Sequence, residues 1–162
     1  MVMGNPARPE QQAAMLRGIT ERMGLPPIRT LCKEPDVLGV YRITVDYYDR
    51  RAHDSCATLV IRRSGAQLAM HYQRAFDQKP ILYPIATIQL EAFSHALQTL
   101  KFDTLSDQPE IPLYGLDFWM VERAAGTFVH SVIISPQTAP GRHADLVRAI
   151  QTHLPEALRL IV

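Results

Sequence analysis

Between residues 41 and 75 the chain alternates apolar and polar side chains three times, with only short polar breaks between the runs. Tyr41, Ile43, Val45 and Tyr47 alternate with Arg42, Thr44, Asp46 and Tyr48. Successive side chains of an extended chain point to opposite sides, so this period of two predicts a strand with one apolar face. Cys56 to Arg63 predicts a second strand, with Ala57, Leu59 and Ile61 on one side. Ala66 to Ala75 predicts a third, with Leu68, Met70 and Tyr72 set against Gln67, His71 and Gln73. Asp49 to Ser55 is a polar turn, and Ser64-Gly65 is a tight hairpin signal. Links this short join antiparallel neighbours, because a parallel crossover needs about a dozen residues or more.

Helical periodicity surrounds this meander. Met15, Leu16, Ile19 and Met23 share a face of a helix expected over 10–23, which Gly24 and Pro26-Pro27 stop. Residues 25–38 read as irregular. Ile81 to Gln89 is rich in β-formers but interrupted by Pro84, and reads as a loop or a short edge strand. Leu90, Phe93, Leu97 and Leu100 form an apolar stripe on a helix expected over 90–102. Leu113 to Arg123 and Thr127 to Ser135 read as strands around an Ala124-Ala125-Gly126 turn. A last helix spans 142–154, with a break at Pro155 and one or two further helical turns. The order α-βββ-α-ββ-α places strands in runs, which argues for an α+β fold. The expectation is one domain over 1–162, residues 1–8 flexible, with a five-stranded antiparallel sheet and helices packed mainly on one face. Leu90, Phe93, Leu97 and Leu100 should then pack on Ile43, Leu59, Leu68, Phe118 and Val132 or their face-mates.

Composition excludes several function classes. A hydrophobic fraction of 47% with a net charge of +1 is not that of a disordered tail. No apolar run approaches the ~18 residues of a membrane span. The first residues lack the apolar stretch of a secretory signal, so a cytoplasmic protein without membrane contact is expected. Seventeen basic residues nearly cancel sixteen acidic ones, leaving no basic excess for nucleic acid. Arg50-Arg51 and Arg62-Arg63 read as solvated turn charge. Cys32 and Cys56 are too few for a disulfide framework and are expected as free thiols. Nucleotide-binding, hydrolase-elbow, zinc-protease, Cys-pair and calcium-loop signatures are absent. None of the six histidines has metal-ligand spacing with another His or Cys, so neither metal nor cofactor is expected.

Chemistry-bearing residues concentrate at Gly115 to Glu122, which holds the only Trp. Alternation puts Asp117 and Trp119 on one face and Glu122 on the other, beside Phe118 and Met120. A carboxylate on an apolar face needs a partner or a raised pKa. His130 supplies the partner if the hairpin loop has an odd number of residues; an even loop places residue 129 opposite Glu122. Glu122, His130 and Asp117 are therefore the candidate acid-base set. The less apolar sheet face carries Arg42, Thr44, His71, Gln73, Asp117 and Trp119. It is the candidate recognition surface, with Arg42, His71, Trp119 and the half-apolar Tyr48 as binding residues. A small-ligand pocket lined by Met70, Tyr72 and Met120 is a further alternative.

The segment 86–136 resembles an uncharacterised family of small bacterial proteins. The parts that carry the resemblance are Phe93 to Leu97, Gly115-Leu116-Asp117, Trp119, Glu122, Gly126 and Ser135-Pro136. It implies a helix followed by a hairpin and no chemistry. In element order the chain is also similar to type III secretion chaperones, small homodimers that bind extended segments across a sheet. Together these readings favour a non-enzymatic module that binds another protein or itself, with a small Glu/His enzyme or a ligand-binding domain as alternatives.

Overall fold

The computed structural model describes residues 8–73, 79–112 and 114–160. Helices α1 (Arg8–Arg22) and α2 (Ile28–Cys32) precede strands β1 (Val37–Asp46), β2 (Ser55–Arg62), β3 (Gly65–Tyr72) and β4 (Ile81–Ile85). Then follow α3 (Thr87–Thr99), β5 (Phe118–Ala125), β6 (Phe128–Ile134) and α4 (Gly141–His153). Short 3-10 turns lie at Phe102–Thr104 and Pro155–Leu158, the second beginning at the proline expected to break the last helix. Of the N-terminal residues expected to be flexible, 1–7 lie outside the described residues and Arg8 begins α1.

The strands form one antiparallel sheet in the order β4-β3-β2-β1-β5-β6. It has six strands, which corrects the five-stranded expectation. The extra strand is Ile81–Ile85, paired with β3 from Met70↔Ile81 to Ala66↔Ile85. A proline supplies no N–H to a ladder, but on an outermost strand that donor is dispensable, so Pro84 is tolerated there.

Helices cover both faces, a second correction. Register places Tyr41, Ile43, Leu59, Leu68, Val121 and Val132 on one face, where they pack with Phe93 and Leu97 of α3 and Leu146 and Ile150 of α4. Phe118, Met120 and Ile133 point the other way and pack with Leu16 and Ile19 of α1. Phe118 therefore does not join the α3 stripe. Beside them Val40 and Ala124 receive Ile28 and Cys32 of α2. The physical reason is that β5 and β6 carry large apolar residues on both sides, Phe118, Met120 and Ile133 on one and Trp119, Val121, Val132 and Ile134 on the other, so neither face can be left wet there. Helix α2 escapes the sequence reading because Pro26-Pro27 looks like a pure breaker. Pro27 is in fact the residue that caps the helix start, and Ile28, Leu31 and Cys32 give one apolar side over a helix of five residues.

The β5–β6 turn fixes the polar geometry. Ala125 pairs with Phe128, so the loop is the two residues Gly126-Thr127, and Gly126 has φ +58°. Arg123 then faces His130, and Glu122 faces Ser131. The free edge of β6 is bonded to the segment before β5. Ile133 N donates to Asp107 Oδ1 at 2.8 Å, Gln108 N donates to Ile133 O at 2.9 Å, and Ser135 N donates to Gln108 Oε1 at 2.9 Å.

Candidate functional site

The α1–α2 face carries a polar stripe across neighbouring strands: Glu122 on β5, Arg42 and Thr44 on β1, Cys56 and Thr58 on β2, and His71 on β3. Helix α1 covers the β5–β6 end of this face and α2 the β1–β5 part. Strands β2 and β3 are left with an open cleft of about 470 Å³, floored by Arg42, Thr58, Ala69 and His71 and walled by Pro26 and Leu31. Gln67, Leu82 and Pro84 continue that face outward and are exposed. The sequence-derived binding residues Arg42 and His71 do meet here.

Arg42 is only 3% exposed. Its Nε donates to Thr58 Oγ1 at 3.0 Å and its Nη1 to Pro26 O at 2.7 Å. Both acceptors are neutral. No ion pair joins it to a described carboxylate. Glu122 is its register partner across β1–β5, yet burial outweighs the attraction of Arg42 and Arg17 and pushes the Glu122 carboxyl up. His71 is driven the other way. Burial first, and the charge of Arg42 second, lower its pKa, so the imidazole is neutral at pH 7, and its buried Nδ1 has no partner among the described residues. Cys56, directly across from His71, is fully buried and pushed up by that burial. It accepts a long bond from Thr44 Oγ1 at 3.7 Å and is a packed thiol, not a thiolate nucleophile.

The acid-base set is not assembled. Glu122 and His130 point to opposite sheet faces. A two-residue loop is even, but the pairing falls at 131 and not 129, because the loop is Gly126-Thr127 and Ala125 belongs to the strand. His130 Nε2 lies 2.7 Å from Leu105 O, and its ring meets Phe102 edge-on at 5.4 Å. Asp117 sits at the far end of the sheet, 3% exposed, accepting from Tyr48 N at 3.2 Å and pairing with Arg51 Nη2 at 2.5 Å. It pins the β1–β2 turn to the start of β5.

Trp119 is not on the recognition surface. It is 5% exposed in the α3–α4 core, across from Val45 and Ile134. Period-two alternation predicts its side correctly relative to Glu122; the error lies in taking that side as solvent-facing. Tyr48 is half exposed, but it lines a separate cleft with Tyr114 and Asp46 beyond the end of β1. Met70 and Met120 lie in different cores on opposite faces, so the pocket proposed between them does not exist.

That same end holds a network no motif announced. Asp54 is 3% exposed and accepts from Tyr47 N at 3.1 Å and Arg50 Nη1 at 3.0 Å. Asp46 lies beside it, 3.9 Å from Arg50 Nη1, and is pushed up to about 6 by burial and by the Asp54 charge. Arg50 adopts φ +57° to reach both. The network holds the turn residues, so Arg50 and Arg51 are structural ion-pair partners, as Arg62 is with Glu34 and Asp36. Among the described residues no three metal-ligating side chains converge. Cys32 and Cys56 are both free and buried. No described helix is long and apolar enough to cross a membrane.

No protein-family model matches the chain, and no curated protein matches it in sequence.

Proposed function

We propose that this chain is a non-enzymatic, cytoplasmic binding domain for another protein, working without a cofactor. Its recognition surface is the uncovered β2–β3–β4 part of the α1–α2 face around Arg42 and His71. The observation that carries the reading is the cleft of about 470 Å³ left where α2 ends, on a sheet face whose β1, β5 and β6 part is covered by helices. Its apolar walls open onto exposed Leu82 and Pro84, which gives a partner both a pocket and a flat rim. Clefts of this size with a few placed polar groups are typical of binding sites.

The test is a photo-crosslinking amino acid in place of Gln67, compared with the same residue in place of His95 on α3. Both positions are exposed. In the native cytoplasm a discrete protein adduct should form from position 67 and not from 95. Adducts from both positions alike, or from neither, would remove the support for this surface.

A further inference from the structure

We infer that the cleft takes a single carboxylate of the partner, an Asp or Glu side chain or a chain terminus, onto the guanidinium of Arg42. This deepens the binding reading above and rests on it. Arginine cannot shed its proton in a protein, so a buried one stays charged and calls for an anion. Arg42 has the burial without an ion pair: its hydrogen bonds go to Thr58 Oγ1 and Pro26 O, no described carboxylate is in ion-pair range, and burial pushes Glu122, its neighbour across β1–β5, toward the neutral acid. Those bonds use Nε and Nη1, while Nη2 makes none to a described residue. The fork is therefore held rigid with one arm spare, on the floor of an open cleft.

Charge selects the class of anion. His71 is neutral and adds no second charge to the floor. Arg62, on the rim, is already paired with Glu34 and Asp36. One unpaired positive charge matches a monoanionic carboxylate better than a phosphate dianion. The occupant is an extended segment, because the surface runs from the cleft outward along the strand pairs, with Ala69, Leu82 and Pro84 apolar and Gln67 polar, to the sheet edge. Such a segment can seat its acid on Arg42 and lay apolar neighbours on Ala69 and Leu82.

A random peptide library panned on the full chain tests this, with Ala69→Trp as a filled-cleft control. Selected peptides should share one acidic position. Replacing that acid by its amide should weaken binding to the unaltered protein about tenfold, as expected for one charge-assisted pair. The same replacement should change binding to Arg42→Gln less than about twofold, because the pair is already gone. The peptide-side change needs no protein variant, so it stays decisive even if Arg42→Gln fails to fold. Cleft-dependent peptides without an acid, or a phosphoserine that binds more tightly than glutamate, would overturn the carboxylate inference and leave the binding surface standing. Peptides that bind Ala69→Trp as well as the unaltered protein would overturn both.

Discussion

Asp46 lies between two neighbours that penalise its charge, the low-dielectric turn and the carboxylate of Asp54, and its pKa is pushed up to about 6. A group that holds its proton more tightly when folded lends its full stability below its unfolded pKa, near 4, and loses it as the pH rises through about 6. A shift of about two units corresponds to an upper bound of about 3 kcal/mol. Asparagine keeps a donor toward Asp54 without the charge. Asp46→Asn should therefore raise stability by about 1–3 kcal/mol near pH 7.5 and by almost nothing near pH 4, read by urea unfolding at both. An equal effect at both would show that the carboxylate carries no burial penalty. Trp119→Ala should cost about 3–5 kcal/mol in the same experiment, as a large aromatic removed from a core does. At this scale the sequence places side chains relative to one another but not relative to water. Trp119 is correctly set opposite Glu122, yet only the packing of α3 and α4 makes its side the inside. The Asp46–Asp54–Arg50 network is illegible for a related reason: ordinary turn residues become a buried cluster only once the turn folds back on itself.

Gly126 governs the polar layout at the scale of elements. Nothing lies within 4 Å of a Cβ built there, so any penalty for a side chain comes from the backbone alone at φ +58°. Gly126→Ala should cost about 1–2 kcal/mol, and Gly126→Asn less, because asparagine tolerates the left-handed region. Thermal unfolding of both variants checks the order; equal losses would point to lost packing instead. The long elements were legible. Helices α1, α3 and α4 and the meander β1–β3 lie close to where periodicity puts them. The short ones were not. Helix α2 offers too little sequence for a period, and β4 is recognisable as a strand only through its pairing with β3. These two elements shape the site, one as the wall of the cleft and the other as the rim beyond it.

At the scale of the molecule, the sheet is a middle layer whose two faces are covered unequally, and the unequal cover creates the cleft. Its two edges are also treated differently. Edge β4 carries Pro84, which interrupts the run of donors it could offer. Edge β6 is finished by Asp107 and Gln108. Side chains there stand where the backbone of a seventh strand would be. The amides of Ile133 and Ser135 should thus exchange their hydrogens for deuterium on the slow timescale of central strands, although β6 is outermost. Gln108→Ala removes the acceptor for Ser135 N and should speed exchange at that amide by roughly tenfold, the equivalent of about 1.4 kcal/mol of lost protection. The bonds of Ile133 to Asp107 and to the Gln108 backbone would remain, so the faster exchange should be confined to Ser135. The two side chains that finish the edge thus occupy the place where a strand of a second molecule would add, so the outermost strand offers no ready template there for extending the sheet.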